Sequence, residues 1–271
     1  MNARPDNAAT LHRLHQGPDI LLLANAWDAG SARLIESLGA KAVATTSAGV
    51  AWSHGYPDGD ALPLRLLVST VAAITRIVRV PLTVDMEGGY GETPAAVGEA
   101  VAAVIDAGGV GINIEDGSSP PDLLCAKIEQ AKQAGTRLGV DLFINARTDV
   151  YLRGLVPEPT RVEETLARVT RYREAGASGI FVPGVVDPAD IRKIASTAGL
   201  PLNVLAWSGL PPAAELARLG VRRLSAGSGI TEAAWGRAAA LATGFLRDGR
   251  SDPLSEGAME YGDINGLFRG D

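Results

Sequence analysis

The sequence predicts a closed (β/α)8 barrel, an α/β TIM barrel, formed by a single domain over residues 1–271. Eight apolar segments rich in β-branched residues alternate with eight amphipathic segments, and no linker or break in composition separates them. This alternation is typical of a parallel sheet, and nearly continuous apolar strands are typical of sheets covered on both faces. Eight even repeats favour a closed barrel, at about residues 20–247, over an open doubly wound sheet.

The elements follow one another in a regular order. The first strand is expected at residues 20–25, and Asp28 can cap the helix after it, which ends at Gly39. The further strands are expected at residues 42–46, 81–87, 110–115, 142–147, 179–183, 202–206 and 222–226. The further helices are expected at residues 63–78, 93–107, 122–138, 161–174, 188–197, 212–219 and 231–246. Left-handed helix caps are expected at Gly39, Gly108, Gly176 and Gly220.

Two segments lie outside this alternation. Residues 47–60, after the second strand, are expected to form a loop. Residues 248–271, beyond the eighth unit, form a C-terminal arm that carries the apolar side chains of Met259, Tyr261, Ile264, Leu267 and Phe268. We expect this arm to pack on a neighbouring subunit or to cover the barrel's own helices.

Composition excludes several classes of function. The net charge is −6 and the 25 Lys and Arg residues are scattered, whereas nucleic-acid binding needs a basic surface. Cys125 is the only cysteine, so the chain has no intramolecular disulfide and no thiolate metal site. No apolar run is long enough to cross a membrane, and the first 17 residues lack the apolar core of a secretory signal. We therefore expect a cytoplasmic protein that binds neither nucleic acid nor membranes.

Carboxylates mark the ends of two neighbouring strands. The third strand runs into Asp85 and Glu87, and the fourth runs into Glu115 and Asp116. Catalytic groups of (β/α)8 barrels lie where the strands end. Asp85 and Glu87 are two apart on a predicted strand and should point to one face, where like charges repel and buried charges are costly. A divalent cation such as Mg²⁺ or Mn²⁺ removes that conflict, so Asp85, Glu87 and Glu115 are the predicted metal ligands. Asp28 and Asp116 can be explained as helix caps alone.

Four motifs, in order along the chain, resemble the isocitrate lyase/phosphoenolpyruvate mutase superfamily, and above all its mutase-like or lyase-like branch. They are NAWDAGSARLIESLGAKAVATTSAG, VDMEGGYG, GINIEDG and INARTDVY, and the resemblance extends from about Ile20 to Ala226. It implies a (β/α)8 barrel that binds Mg²⁺ and a small 2-oxo acid. It also implies a homo-oligomer, a dimer or tetramer, in which the last helix is exchanged between subunits.

The resemblance implies roles for individual residues as well. It makes Asp85 the direct metal ligand, while Glu87, where the family usually has Asp, and Glu115 act through metal-bound water. Asp58 matches an acidic loop position near the metal. The positions that match substrate binding are Ser47, the backbone of Ala48 and Gly49, Arg147 and Asn203. The guanidinium fork of Arg147 suits a carboxylate independently of any family.

The chain departs from the superfamily's two specialised chemistries. Isocitrate and methylisocitrate lyases carry a catalytic cysteine in a mobile loop after the fourth strand, whereas here residues 117–121 lead directly into a helix. Cys125 lies inside that helix next to Leu124, and we expect it to be a buried, unreactive side chain. The longer loop of phosphoenolpyruvate mutases is missing too.

These features predict a Mg²⁺-dependent carbon–carbon lyase or decarboxylase that acts on a small 2-oxo or 2-hydroxy carboxylate such as oxaloacetate. Charge develops as an enolate on the metal-chelated oxygen, and Arg147 can stabilise it without a protein nucleophile. His54 or Tyr56, in the loop after the second strand, is the candidate proton donor, with solvent as the alternative. Asp58, His54 and Arg147 are the candidate catalytic residues.

Three other functions stay open from the sequence. One is a phosphonomutase or phosphoenolpyruvate-type activity, and another is a protein that binds a 2-oxo acid without turning it over. The third is a phosphate-ester enzyme, because the Gly/Ser-rich segment 224–231 precedes the last helix, where barrels often bind phosphate.

Overall fold

The computed structural model describes residues 4–269, and residues 1–3 and 270–271, the two ends of the predicted domain, lie outside this description. Within residues 4–269, nine parallel strands form a nearly closed barrel that is surrounded by helices, so the predicted fold class is confirmed. The strands are β1 (Leu21–Leu23), β2 (Asn25–Ala26), β3 (Val43–Thr45), β4 (Leu82–Asp85), β5 (Gly111–Glu115), β6 (Phe143–Arg147), β7 (Gly179–Val182), β8 (Leu202–Leu205) and β9 (Val221–Ser225).

The predicted first strand is split into two segments. β1 pairs with β9 and β2 pairs with β3, so the two halves of one strand face opposite neighbours and bring the ends of the sheet together. The sheet order is β1-β9-β8-β7-β6-β5-β4-β3-β2. The eight predicted strands are thus all present, as nine segments.

The eight predicted helices are also present. The α-helices of the described chain are α1 (Arg4–Gln16), α2 (Ala29–Ser37), α3 (Ser47–Ser53), α4 (Leu64–Ile77), α5 (Pro94–Asp106), α6 (Pro121–Arg137), α7 (Arg161–Glu174), α8 (Pro188–Thr197), α9 (Ala213–Arg218), α10 (Gly229–Asp248), α11 (Asp252–Ser255) and α12 (Tyr261–Gly266). The prediction that residues 47–60 form only a loop is wrong, because α3 starts immediately after β3. α1 was not predicted, and α11 and α12 lie in the C-terminal arm.

Local details of the helix ends agree with the predictions. The Asp28 side chain accepts a hydrogen bond from the backbone N–H of Ser31 and caps α2. The four predicted cap glycines all have positive φ: Gly39, Gly108, Gly176 and Gly220. Cys125 is a free thiol that packs, partly buried, against the core.

α1 closes the end of the barrel at which the strands begin. Leu11 is fully buried over Gly111, the first residue of β5, where a Cβ atom would lie 2.6 Å from Leu11 Cδ2. His15 stacks on Phe143, the first residue of β6, with ring centroids 3.9 Å apart. The polar residues at the carboxyl ends of the strands therefore lie at the opposite, uncovered end of the barrel.

α10 is the exception among the barrel helices because most of its residues are exposed. Its first turn is anchored by the buried Thr231, whereas Trp235, Phe245 and Leu246 are exposed to 49%, 46% and 83%. No helix in the part of the chain that the structure describes has the length and apolar character needed to cross a membrane.

Candidate active site

Asp85 ends β4 at the mouth of the barrel. Its backbone N–H donates to Thr45 Oγ1 at 2.8 Å, and its Oδ2 accepts from the backbone N–H of Ser47 at 3.2 Å. Burial raises the pKa of the Asp85 carboxyl above its ordinary range, and the nearby Arg147 guanidinium opposes that rise. Within residues 4–269 this carboxylate forms no ion pair. Asp85 is therefore a desolvated acid that lacks a cation in direct contact.

Glu87 does not lie on the strand, so the prediction that it shares a strand face with Asp85 is wrong. β4 ends at Asp85, and Glu87 has the left-handed φ of 48°, a strained conformation for a residue other than glycine. Its Oε2 accepts from the backbone N–H groups of Gly59, at 2.9 Å, and Asp60, while its Oε1 accepts from the Tyr90 hydroxyl at 2.6 Å. The Glu87 carboxylate thus ties the loop after β4 to the loop after α3.

Arg147 ends β6, and two carboxylates hold its guanidinium. Nη1 forms an ion pair with Glu115 Oε2 at 2.7 Å, while Nε and Nη2 donate to the two oxygens of Asp149 at 2.7 and 3.1 Å. Burial raises the pKa of Glu115 above its ordinary range, with the charge of Arg147 acting against this shift and that of Asp85 adding to it. The structure therefore brings Asp85, Glu115 and Arg147 together at adjacent strand ends, as the sequence predicted.

Asp116 anchors this arrangement and is not a simple helix cap. Its side chain is fully buried, with Oδ1 accepting from the Asp149 backbone N–H at 2.9 Å. Its Oδ2 accepts from Arg168 Nη1 at 2.8 Å and from the Tyr172 hydroxyl at 2.7 Å. Asp116 therefore holds Asp149, which in turn fixes the plane of the Arg147 guanidinium.

No role was assigned from the sequence to Asp149, Arg168 or Tyr172. Asp149 follows Arg147 by two residues, so the sequence placed it among the polar residues at a strand end but did not indicate what it contacts. Arg168 and Tyr172 lie one turn apart on α7 and reach the site only through the packing of that helix. Nothing in the local sequence separates them from surface residues of an amphipathic helix.

α3 carries the backbone that the resemblance assigns to substrate binding. Ser47, Ala48 and Gly49 form its first turn, whose N–H groups have no acceptor within the helix. A Cβ atom on Gly49 would lie 2.8 Å from each of three side-chain atoms, which belong to Thr231, Thr46 and Trp27. Glycine is therefore required at this position for the turn to pack closely.

Two predicted residues lie apart from the cluster. His54 is exposed at the end of α3, and its Nε2 hydrogen-bonds Thr70 Oγ1 at 2.9 Å. Asn203 is buried inside the barrel on β8, and its Oδ1 accepts from Ser225 Oγ at 3.2 Å. Neither side chain contacts the acids at the strand ends through a hydrogen bond in the described chain.

Acidic side chains surround Asp85, but their carboxylate groups do not meet at one point. Among residues 4–269, no three Asp, Glu, His or Cys side chains are grouped closely enough to hold a metal ion directly. Asp58 is exposed in the loop after α3, and its negative charge contributes to the raised pKa values of Asp85 and Glu87. Mg²⁺ usually keeps several waters and takes only one or two protein carboxylates. The donor set therefore fits a cation held directly by Asp85 with acids at longer range, and does not fit a cage of three direct ligands.

A cleft of about 490 Å³ opens beside Glu115. Lys127 and Arg153 line it together with Tyr90 and the short loop after β5. The Nζ of Lys127 donates to the backbone carbonyl of Gly88 at 2.6 Å and so braces the loop after β4. A cleft of this volume is suited to a small molecule rather than to a polymer.

The Gly/Ser-rich segment before α10 is committed to contacts within the barrel. The Gly227 backbone N–H donates to Asn25 Oδ1 at 2.9 Å, and the Ser228 hydroxyl donates to Glu232 Oε1 at 2.6 Å. A phosphate cradle would need these donors to be free. The geometry therefore gives no support to a phosphate-ester enzyme.

Comparisons with known proteins place the chain among relatives of related chemistry. The family model described as phosphoenolpyruvate phosphomutase matches residues 11–246. An uncharacterised protein of Mycobacterium tuberculosis H37Rv is 36% identical, over 91% of this chain and 92% of its own length. The oxaloacetate decarboxylase of Pseudomonas fluorescens SBW25 is 31% identical, over 83% of this chain and 80% of its own length.

Solved structures agree with the sequence comparisons. A Burkholderia cenocepacia J2315 protein with the provisional name phosphonomutase has a TM-score of 0.84 and 41% identity, covering 88% of this chain and 99% of its own. A 2,3-dimethylmalate lyase of the PEP mutase/isocitrate lyase superfamily has a TM-score of 0.83 and 27% identity, covering 96% of this chain and 94% of its own. The resemblance carried by the four motifs is confirmed.

Proposed function

This chain belongs to the phosphoenolpyruvate phosphomutase family, and from that premise we propose that it is a divalent-metal-dependent lyase acting on a small 2-oxo or 2-hydroxy carboxylate. The observation that carries the proposal is the meeting of Asp85, an acid without a cation partner, with the Glu115–Arg147 ion pair at adjacent strand ends. Two relatives support carbon–carbon cleavage, an oxaloacetate decarboxylase and a 2,3-dimethylmalate lyase.

Asp85 would hold the cation directly, and Glu87 and Glu115 would act on its bound waters. Bound Mg²⁺ or Mn²⁺ would supply Lewis-acid stabilisation for charge on a carbonyl oxygen. Asp58 supplies further negative charge at the rim of the site. The acids of this chain thus surround one partly buried carboxylate, that of Asp85, at which a cation would bind.

Arg147 would bind the substrate carboxylate. The bidentate contact with Asp149 uses Nε and Nη2 and fixes the guanidinium plane, whereas Nη1 meets only Glu115 in the described chain. A substrate carboxylate would take the place of Glu115 at Nη1, in a charge-assisted hydrogen bond. The backbone N–H groups of Ala48 and Gly49, in the first turn of α3, would orient the same substrate, while that of Ser47 donates to Asp85.

Oxaloacetate is the substrate that we favour. The loop after β5 is short and carries no cysteine, so the open cleft beside Glu115 lets water reach the product. Cleavage of the bond between C3 and C4 releases C4 as CO₂ and leaves the enolate of pyruvate, which a proton from water converts to pyruvate. His54 hydrogen-bonds Thr70 and lies exposed, so we favour water over this histidine as the proton donor. We expect this activity in the cytoplasm, and favour it over a phosphonomutase activity.

The test is turnover of oxaloacetate to pyruvate by the purified protein. We expect turnover that EDTA removes and Mg²⁺ or Mn²⁺ restores, and a loss of at least 100-fold in kcat/KM in Asp85→Asn, which corresponds to about 2.7 kcal/mol of transition-state stabilisation. Glu99→Gln, which removes an exposed carboxylate that pairs with Arg137 on the helical layer, is the matched control. Tight oxalate binding without turnover of any 2-oxo acid would instead indicate a binding protein.

We also propose that a second copy of the chain covers α10. Leu22 lies on a barrel strand yet is 54% exposed, beside an apolar groove of about 640 Å³ between the end of α1, β1 and α2. The outer face of a parallel barrel strand is normally covered by a helix. Exchange of α10 between two copies would cover this groove and also bury Trp235 and Phe245.

Light scattering during gel filtration tests this assembly. We expect a dimer or tetramer for the wild-type protein and a shift towards the monomer in Leu22→Asp. Leu138→Asp, at an exposed leucine away from the groove, should leave the mass unchanged. A monomeric wild-type protein at micromolar concentration would contradict the proposal.

A further inference from the structure

Arg223 lies inside the barrel, one layer of side chains beneath the candidate active site. It is on β9 and is 0% exposed. Its Nε donates to Ser225 Oγ at 3.1 Å, and its Nη2 donates to Asn113 Oδ1 at 3.3 Å. Asn113 precedes Glu115 by two residues on β5, so both side chains point into the barrel. Arg223 Nη1 is buried and has no hydrogen-bond partner among the described residues.

No carboxylate neutralises this guanidinium by direct contact. Within residues 4–269 Arg223 forms no ion pair, and the charge that acts on it is that of Asp85, which is in register with Asn113 on the neighbouring strand. Burial lowers the pKa of Arg223 to about 9, so the group remains a cation at neutral pH. An ionised group buried without a counter-ion is costly.

The hydrogen-bond partners of Arg223 do not depend on it. Asn113 Oδ1 also accepts from Asn145 Nδ2 at 2.9 Å, and Ser225 Oγ also donates to Asn203 Oδ1 at 3.2 Å. Removal of the arginine would therefore leave neither partner without a hydrogen bond. Hydrogen bonding to Asn113 and Ser225 therefore does not explain why a charged residue is present at this position.

We propose that Arg223 is a positioning residue that provides a fixed positive charge beneath the site and acts through the potential at Asp85 and Glu115. This positive charge raises the affinity of the site for an anionic carboxylate ligand and lowers its affinity for a divalent cation. The proposal rests on the proposed function, because it takes Asp85 as the metal ligand. A unit charge and a divalent ion roughly 10 Å apart, at an effective dielectric constant of about 20, change an affinity by on the order of 100-fold.

Two variants separate the charge from the hydrogen bonds. Arg223→Lys keeps the charge but replaces the guanidinium fork with a single ammonium group, whereas Arg223→Gln loses the charge and keeps an amide that can hydrogen-bond Ser225 or Asn113. Arg222→Gln is the matched control, because Arg222 is next to it on β9 but only half-buried, on the alternate face of the strand. Two affinities are measured on each full-length protein: that for Mn²⁺ alone, by electron paramagnetic resonance, and that for oxalate at saturating Mg²⁺, by calorimetry.

The proposal predicts opposite signs for the two affinities. In Arg223→Gln, oxalate should bind more weakly, and Mn²⁺ more tightly, each by on the order of 100-fold. Arg223→Lys and Arg222→Gln should stay within about threefold of the wild type for both probes. The denaturation midpoint of metal-free Arg223→Gln should equal or exceed that of the wild type, because a buried charge has been removed.

Other outcomes overturn the inference in distinguishable ways. If both affinities fall in Arg223→Gln, the role of Arg223 is structural. The same holds if Arg223→Gln keeps the wild-type affinities and Arg223→Lys does not. Unchanged affinities in Arg223→Gln would show that the charge does not reach the site. A wild-type protein that binds neither oxalate nor Mn²⁺ would refute the proposed function, and this inference with it.

Discussion

His15 makes the stability of this protein depend on pH in a way that can be worked out from the structure. Its ring is buried at the closed end of the barrel and stacks on Phe143, with Nδ1 2.8 Å from the backbone oxygen of Leu11. Nε2 is buried without a partner in the described chain, so protonation would place an unpaired charge there. Burial, helped by the positive charge of Arg223, lowers the pKa of His15 to about 3.

Proton linkage gives the direction and the magnitude of this pH effect on the free energy of unfolding. An unfolded chain binds this proton with a pKa of about 6.5, so between about pH 6.5 and 3 the unfolded state binds more protons than the folded state. The contribution of His15 to stability is therefore complete above about pH 6.5 and is lost as the pH falls. At pH 5, about 1.5 units below the unfolded pKa, the loss is about 2 kcal/mol at about 1.36 kcal/mol per unit. Any folded pKa below about 4 gives nearly the same value.

Urea denaturation at pH 7.5 and pH 5.0, at one protein concentration, measures this loss. The decrease in the free energy of unfolding between the two pH values should be about 2 kcal/mol smaller in His15→Met, which keeps an apolar side chain of similar size and cannot titrate. His54→Gln, which removes an exposed imidazole, should keep the wild-type pH dependence. A His15→Met protein that loses as much stability as the wild type at pH 5 would refute the reasoning.

Three further predictions concern the packing and anchoring of the site. Gly49→Ala should lower the free energy of unfolding by about 1–3 kcal/mol in urea denaturation, because the added Cβ meets three atoms at 2.8 Å. Tyr172→Phe should lower it by about 1–2 kcal/mol, because the buried Asp116 carboxylate loses one hydrogen bond. Asp149→Asn should weaken oxalate binding by about tenfold in calorimetry, because an amide accepts only one bond of the Arg147 fork.

Gly49→Ala and Tyr172→Phe each have a matched control. Gly30→Ala, where the nearest side-chain atom is 3.5 Å away, should cost much less than Gly49→Ala. Tyr261→Phe removes a hydroxyl from a side chain that is 82% exposed and should leave stability unchanged. Equal costs for the two glycine variants would contradict close packing at Gly49, and equal costs for the two tyrosine variants would contradict a stabilising hydrogen bond from Tyr172 to Asp116. Wild-type oxalate affinity in Asp149→Asn would show that Arg147 needs no second carboxylate to be oriented.

The alternation of strands and helices could be predicted because it depends on local properties. Apolar β-branched runs, amphipathic helices and cap glycines are each specified by residues close in sequence. The same local signal placed Asp85, Glu115 and Arg147 at strand ends, where parallel strands must bring them together. The local sequence pattern did not predict α1 or α3. α1 has no amphipathic pattern strong enough to stand out, and α3 is a short helix next to a strand whose turn depends on Gly49 fitting against α10.

Residues distant in sequence decided the rest of the site. The left-handed turn at Glu87, which moves its carboxylate off the strand, is held by the amides of Gly59 and Asp60. The anchoring of Asp116 by α7 likewise depends on how that helix packs. The sequence by itself determined the barrel and the identity of the acids and the arginine at its mouth, because strand order and strand ends follow from local periodicity. The tertiary structure alone decided which acid stays unpaired and which charge lies beneath it, because ion pairing and desolvation depend on neighbours that the chain brings together only on folding.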